Sequence, residues 1–488
     1  MRVNEIKNKR SHFLSDVLIL VTGTSIAQII TIFASPIITR LYGPETFGVF
    51  ALIISITSIV GVLVSMRYEY AIMLPDSDEE AASLLVGCIL LICLISGFCI
   101  PAIWFGQNII TTSLNAKSLG LYLWLVPIIV FLSGIFTVLS YWNTRSRKFR
   151  RLSTAQVSQS VASTGTQIGA GFAGHTSAGS LIAASIIGQG VATTMLGGQI
   201  WRDDKTLLKN SIGWEKILRG FRRYKNFPKY STVSSLLNAL SWQLPVLLLG
   251  AFFSPVISGY YALGMRTLQL PMNFIGNALF QVSFQRAAEV KDKDSISTLI
   301  ENVFHILLLV GMVPLLILTL VGADLFSVVF GAQWKEAGIY VQILSVWMLF
   351  WFLSSPLGMI FDVLEKQALD LKLNIILLIT RIASLVIGSL YGGPILALIL
   401  FSFSGVLAYG TILAIIFKVS SVNLIMIGKS IWANFLLFVP IAVILIIMKF
   451  LALSSMIIVL TSGIALLIYY AHIIKTDSQV AVLVKKSI

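Results

Sequence analysis

Fourteen apolar runs, most of them 17 to 25 residues long, occupy almost the whole 488-residue chain. A helix needs about 20 apolar residues to cross the ~30 Å hydrocarbon layer of a bilayer, because each residue adds ~1.5 Å. The connectors are mostly too short to fold by themselves, and only 11% of the residues are charged. The sequence therefore predicts an all-α integral membrane protein with about 14 transmembrane helices. The predicted spans are 13–38, 47–66, 83–105, 121–142, 154–173, 179–200, 230–252, 257–284, 302–322, 338–361, 372–390, 394–417, 430–448 and 455–474.

The basic residues are distributed unevenly between the two sides of these spans. With the N-terminus placed in the cytoplasm, 29 of the 35 Lys and Arg residues lie in cytoplasmic segments and four lie in outer connectors. Such a bias sets the orientation of membrane proteins. We therefore expect both termini to be cytoplasmic and the net charge of +14 to be an orientation signal rather than a nucleic-acid-binding surface. The three Cys and four His residues show no ligand-like spacing, so no metal or other cofactor is expected.

One short segment occurs twice. Residues 41–52 align with residues 252–263 at a constant offset, and Pro, Gly, Ala and Leu match. Chance can align four residues in twelve, but both copies also follow an odd-numbered span at the outer surface, which favours duplication. Six spans separate the copies, so the two halves enter the membrane in the same orientation. Parallel repeats of this kind build two-lobed transporters with a cavity between the lobes.

The repeat gives a domain organisation. We predict an N-terminal lobe at 1–200 (spans 1–6), a cytoplasmic linker at 201–229, a C-terminal lobe at 230–418 (spans 7–12), and spans 13 and 14 with the tail at 419–488. Apolar and basic residues alternate in the linker at helical spacing. This pattern fits either an interfacial helix on an anionic leaflet or a solvated connector.

Span 8 carries a charge that needs an explanation. Arg266 lies near the predicted midplane, where a charged side chain costs roughly 2.5–3.5 kcal/mol. Asn273, Asn277 and Gln281 follow at four-residue steps and share one helix face. These amides either bind cargo or hydrogen bond neighbouring helices, whereas for Arg266 we favour an anion site.

Three further residues in or near spans are candidates for substrate binding. Gln28 belongs to a polar row in span 1 that either lines a cavity or packs against a neighbouring helix. Arg381 lies deep in span 11 and either binds an anion or pairs with a backbone carbonyl. Arg40 lies at the outer interface, where it either aids anion binding or anchors the helix to the membrane surface.

Several segments resemble one family of transporters. They are Thr-Arg-Leu-Tyr-Gly-Pro-Glu-Thr-Phe-Gly at 39–48, Met-Arg-Tyr-Glu-Tyr-Ala-Ile-Met-Leu-Pro at 66–75, Tyr-Tyr-Ala-Leu at 260–263, Leu-Pro at 270–271 and Phe-Gly-Ala-Gln-Trp at 330–334. In order and topology they resemble the polysaccharide flippases of the multidrug/oligosaccharidyl-lipid/polysaccharide exporter superfamily. The resemblance implies two six-helix bundles, alternating access and a cargo of oligosaccharide on an undecaprenyl diphosphate carrier.

The chain is also similar, more distantly, to the lipid II flippases. In those relatives an arginine five residues before the span-8 proline faces the central cavity, and Arg266 before Pro271 matches that position. They also carry an Arg-Asp pair in span 1, where this chain has Ala34 and Ser35. The resemblance therefore does not carry over the whole diphosphate-binding set.

The resulting hypothesis is a non-enzymatic flippase for undecaprenyl-diphosphate-linked repeat units in a bacterial cytoplasmic membrane, serving surface polysaccharide such as O-antigen, capsule or exopolysaccharide. Its expected partners are the lipid-linked glycan, membrane lipid and the polymerase and chain-length proteins of the same pathway, and an ion gradient of unidentified ion would drive it. Arg67 and Glu69 either gate the cytoplasmic opening or form a local ion pair. The alternatives are a cation-coupled exporter of the same fold, a membrane polymerase or glycosyltransferase, and a scaffold of a glycan assembly complex.

Overall fold

The computed structural model describes residues 2–211, 213–276, 279–280, 283, 287 and 293–477. Within these ranges all regular secondary structure is helical. Asn277 and Gln281 lie outside the described residues. The helices up to the second repeat copy are α1 Arg2–Leu41, α2 Pro44–Val64, α3 Tyr68–Ala71, α4 Asp78–Ser113, α5 Leu119–Leu123, α6 Val126–Arg145, α7 Phe149–Phe172, α8 Ala178–Asn210, α9 Trp214–Arg223, a π-helix at Phe227–Ser231, α10 Thr232–Phe252 and α11 Pro255–Leu268.

The remaining helices begin with a π-helical turn inside span 8. They are the π-helix Met272–Gly276, α12 Lys293–Val329, a 3₁₀ turn at Ala332–Trp334, α13 Lys335–Ser354, a 3₁₀ turn at Pro356–Gly358, α14 Met359–Val363, α15 Gln367–Val419, α16 Leu424–Phe450 and α17 Ser455–Thr476. The chain divides into two compact units, Met1–Gly259 and Tyr260–Ile488. The lobe boundaries inferred from the repeat remain predictions.

The helices account for the predicted spans. Eleven helical segments in the described part of the chain are long and apolar enough to cross a membrane. One of them, α15, holds spans 11 and 12, because Gly392 and Gly393 leave helical geometry and Gly393 adopts a φ of 77° just before Pro394. Span 5 forms α7, which is long but more polar, and span 8 begins in α11. The all-α multi-pass architecture with about 14 spans is therefore confirmed.

Local sequence explains where several helices begin. Pro44 opens α2 at a position where its missing N–H costs nothing. The hydroxyl of Ser77 accepts a hydrogen bond from the Glu80 backbone N–H at 3.3 Å and caps α4. The Asn423 side chain accepts from the Ile425 backbone N–H at 3.0 Å and caps α16. Each cap satisfies a backbone donor that would otherwise lack a partner, typically stabilising the helix by ~1 kcal/mol.

The two repeat copies are in direct reciprocal contact inside the first unit. A Cβ on Gly48 would lie 1.6 Å from the carbonyl oxygen of Pro255, and a Cβ on Gly259 would lie 2.2 Å from that of Pro44. Each copy thus places its glycine against the backbone of the other copy's proline. This exchange is expected of a duplicated segment related to itself by a pseudo-twofold axis, and it supports the repeat.

The linker forms the expected amphipathic helix, α9. Its Ile217 is 4% exposed, and Ile217 and Phe221 lie so close to Gly87 of α4 that a Cβ there would approach them to 2.9 and 2.7 Å. Tyr68 donates a 3.1 Å hydrogen bond to the Phe221 carbonyl. The apolar face of α9 therefore packs on protein, while Trp214 at its start is 73% exposed.

Spans 13 and 14 pack against span 9 in the second unit. Their apolar side chains form one cluster with those of α12, including Val313 and Leu445. At one end Lys449 forms a 3.0 Å ion pair with Asp324, which also accepts a 2.7 Å hydrogen bond from Ser455. This anchors α16 and α17 to α12 and leaves the other side of α16 free to border a cavity.

Candidate functional site

Span 8 presents an accessible polar face. Arg266 and Asn273 are exposed, whereas Leu268 and Met272 on the other face are 1% and 8% exposed. Arg266 lies eleven residues into α11, or ~16 Å from its start, which is half the hydrocarbon thickness. No described residue forms an ion pair with its guanidinium. An exposed cation at that depth must face water or an anion rather than lipid.

The helix changes geometry directly below Arg266. Pro271 lacks an N–H, and residues Met272–Gly276 form a π-helical turn. The Asn273 N–H still donates to the Gln269 carbonyl at 3.1 Å, four residues back as in an α-helix. Such wide turns in helices are frequent at functional sites. Here the turn keeps Asn273 on the accessible side, seven residues from Arg266.

Several residues in the polar row of span 1 are hydrogen bonded to span 5. Thr24 donates to Gln156 at 2.8 Å, the hydroxyls of Thr31 and Ser160 lie 3.0 Å apart, and Ser160 donates to the Ala27 carbonyl at 2.8 Å. These groups hold α1 against α7, so for this row the packing alternative describes the structure. Gln28 lies half-buried within the same stretch, and Arg40 is exposed in the last turn of α1.

Arg381 lies in an aromatic cage. Its guanidinium carbon lies 5.5 Å from the Trp347 ring centroid, 6.0 Å from that of Phe401 and 5.8 Å from that of Tyr409, and its Nη2 donates a 2.9 Å hydrogen bond to the Tyr409 hydroxyl. Aromatic faces stabilise a desolvated cation by about 2 kcal/mol. Gly405 is required beside the cage, since a Cβ there would lie 1.9 Å from Trp347 Cδ1. Arg381 is only 3% exposed, so this structure does not present it to a ligand.

The proposed gate residues form a compact cluster after α2. Arg67 Nη1 lies 3.3 Å from Glu69 Oε1, and the Ser65 hydroxyl donates to Glu69 Oε2 at 2.5 Å. Glu69 is 2% exposed, and Arg67 adopts a left-handed conformation with φ of 61°. The Arg67 guanidinium also lies 5.2 Å from the Tyr70 ring centroid. The predicted ion pair is therefore present, whereas a gating role stays a prediction.

Tyr68 links this cluster to the linker helix. Burial, together with the nearby Cys88 thiol, raises the pKa of the Tyr68 phenol, so it remains a neutral hydrogen-bond donor to Phe221. Its ring also packs 4.5 Å from the Phe221 ring. A movement of the segment around Arg67 would thus be transmitted to α9.

Residues 37–338 match the family described as polysaccharide biosynthesis protein, which is more than half of the chain. The chain belongs to that family. A curated relative, an uncharacterized membrane protein in the cps region of Klebsiella pneumoniae, is 21% identical over 184 residues. That alignment covers 37% of this chain and 38% of the relative, so it spans well under half of the relative's length.

Solved structures share the fold of this chain. The lipid II flippase MurJ in an inward closed conformation superposes with a TM-score of 0.72 at 13% identity, covering 94% of this chain and 99% of that one. An inward-facing multidrug resistance MATE family transporter of the MOP superfamily gives 0.65 at 14% identity, covering 82% and 94%. At these identities the likeness establishes the fold. The match over residues 37–338 confirms the resemblance to polysaccharide proteins noted in the sequence.

Sequence reasoning did not identify the residues that surround Arg381. It singled out Arg381 but neither Phe401 nor Tyr409, which lie 20 and 28 residues further along the chain. A signal was available, because these aromatic residues occupy the span paired with that of Arg381. Among the residues with described side chains, no three His, Cys, Asp or Glu residues are close enough to hold a metal ion.

Proposed function

We propose that this protein is a flippase that moves an undecaprenyl-diphosphate-linked oligosaccharide from the inner to the outer face of a bacterial cytoplasmic membrane. The observation that carries the proposal is the exposed guanidinium of Arg266 at mid-span depth. Membership of the polysaccharide biosynthesis family and the fold shared with a lipid II flippase and MATE transporters support it.

The chemistry of the cargo matches this polar face. A diphosphate carries negative charge that must cross a layer where an unpaired ion is costly. Arg266 offers fixed positive charge and five N–H donors at that depth, and the Asn273 amide can bond sugar hydroxyls or phosphate oxygens. The prenyl chain would remain in lipid while the polar part crosses beside span 8. In the same proposal the exposed Arg40 and the half-buried Gln28 would also bind polar groups of the cargo, whereas Arg381 would do so only in a conformation that opens its aromatic cage.

The cytoplasmic side would be controlled by the cluster around Glu69. Its ion pair with Arg67 and its hydrogen bond from Ser65 hold the segment after α2 in one conformation. We assign this cluster to the inner gate, with transport by rocking of the two predicted lobes. An ion gradient would supply the energy, and the protein itself would carry out no covalent chemistry.

The test is a set of Arg266 variants in cells that depend on this protein for surface glycan. Arg266→Ala should abolish surface glycan at normal protein abundance, because it removes the charge that offsets the diphosphate. Arg266→Lys should retain part of the activity, since at a hydrated diphosphate the positive charge matters more than the planar arrangement of the guanidinium N–H donors. Arg202→Ala removes an exposed cytoplasmic arginine and serves as the matched control, with normal display expected.

The position of the stalled glycan separates transport from synthesis. In cells with Arg266→Ala, complete lipid-linked oligosaccharide should accumulate out of reach of a lectin added from outside. If single units instead reach the outer face and only their polymerisation stops, the protein is a polymerase and not a flippase. Normal display in the alanine variant would remove Arg266 from the mechanism.

A further inference from the structure

A cavity lies within the Tyr260–Ile488 unit, and no described residue of span 8 lines it. It has a volume of about 870 Å³ and is bounded by α12, α13, α15 and α16. The lining is almost wholly apolar and includes Phe304, Leu316, Val346 and Phe417. Polysaccharide translocation gives this cavity no role, because its walls offer few partners for sugar hydroxyls.

The cavity has the height of one lipid leaflet. Its lining on α12 runs from Phe304 to Leu316, which is twelve residues or ~18 Å. Half of the hydrocarbon layer measures ~15 Å. The wall on α15 ends at Lys418, in the last turn of the helix, beside Ser421 of the following loop. The cavity therefore reaches from the end of span 12 to about the middle of the membrane.

The cavity is open at its α16 side rather than enclosed. Ile431 and Phe435 of α16 line it and are 40% and 39% exposed. Neither side chain belongs to the apolar cluster that holds α16 against α12 and α17. Water does not fill apolar cavities, and an empty space of this size would forfeit the dispersion contacts of its lining. An apolar ligand from the membrane is the occupant that satisfies both conditions.

One charge marks the end of the cavity where a lipid headgroup would lie. Lys418 is exposed and lines the cavity. No carboxylate among the described residues lies within ion-pair distance of it. Lysine at a membrane surface attracts anionic lipid.

We propose that this cavity binds the acyl chains of an anionic diacyl phospholipid, and that Lys418 holds the phosphate. With the termini in the cytoplasm, as proposed, the lipid belongs to the inner leaflet. The bound lipid would fill the space between α16 and the helices α13 and α15. It would thereby brace spans 13 and 14 against the rest of the unit.

The test is native mass spectrometry of the full-length protein purified in detergent and titrated with phosphatidylglycerol or phosphatidylcholine of identical acyl chains. We expect one phosphatidylglycerol to be retained in preference to phosphatidylcholine. Lys418→Gln should weaken phosphatidylglycerol binding about fivefold and leave phosphatidylcholine unchanged. Lys372→Gln removes an exposed lysine near the start of α15 and is the matched control, with no change expected.

A second variant addresses the apolar part of the site. A Cβ on Gly410 would meet the Phe350 ring at 3.6 Å, an ordinary contact, so a larger side chain can extend into the cavity. Gly410→Phe should abolish retention of both lipids at an unchanged size-exclusion profile. If this variant does not fold, the comparison of Lys418→Gln with Lys372→Gln still tests the lipid site.

Three results would overturn the proposal. The first is that no lipid is retained. The second is equal retention of both lipids with no effect of Lys418→Gln. The third is displacement of phosphatidylglycerol by a polyprenyl phosphate at lower concentration, which would assign the cavity to the carrier of the cargo. None of these results depends on whether Arg266 binds a diphosphate, so the lipid site and the transport proposal fail separately.

Discussion

The reciprocal contact between the repeat copies gives a sharp prediction for Gly48→Ala. The added methyl group would lie 1.6 Å from the Pro255 carbonyl oxygen, whereas an ordinary van der Waals contact begins at 3.4 Å. The obstacle is backbone, which cannot rotate away, so α2 and α11 must separate. Overpacking of this kind costs typically 1–3 kcal/mol. We expect a loss at or above the upper end of that range.

The matched control is another glycine of the same helix. Gly61 has no atom within 4 Å of an added Cβ. Gly61→Ala should therefore be neutral or stabilise α2 by up to ~1 kcal/mol through helix propensity. The difference between the two variants should be about 3–4 kcal/mol. It would be measured as the free energy of unfolding in mixed detergent micelles, with the thermal midpoint of a fluorescent fusion as a second reading.

Equal stability of the two alanine variants would refute the reasoning. It would mean that the first turns of α2 and α11 do not cross as closely as described, and the structural support for the repeat would be lost. Loss of stability only in Gly48→Ala would support the crossing. Gly259→Ala should then behave like Gly48→Ala, because its Cβ would lie 2.2 Å from the Pro44 carbonyl oxygen.

Two further variants test packing around buried charges. Gly405→Ala should displace Trp347, whose Cδ1 would lie 1.9 Å from the new Cβ, and lower the thermal midpoint by several degrees. The control Gly463→Ala has open space around its Cβ and should leave the thermal midpoint unchanged. Glu69→Gln should cost about 1–3 kcal/mol locally, because Arg67 loses its carboxylate partner in a largely buried cluster. Hydrogen exchange of residues 65–75 should accelerate, and unchanged exchange would show that the ion pair does not hold this segment.

Architecture was predictable because the bilayer restricts a spanning segment to a helix of nearly fixed length. Runs such as 455–474 became α17 with only small shifts at their ends. The break inside α15 was also visible, since paired glycines and a proline separate spans 11 and 12. The sequence periodicity predicted that Thr24 and Thr31 share one face of their helix. It could not predict which helix covers that face, and in the structure α7 covers it through Gln156 and Ser160.

The two mid-span arginines show why the site could be predicted only in part. Each carries the same cost of placing a cation at depth, and the sequence favours an anion site for Arg266 while leaving Arg381 open between anion binding and a backbone pairing. The protein meets that cost for Arg381 with three aromatic rings and the Tyr409 hydroxyl, contributed by residues 20 to 34 positions away in sequence. Around Arg266 the described residues supply no such enclosure, and the side chain is exposed. No described carboxylate pairs with it, and under the proposed function water and the anionic cargo would offset its charge.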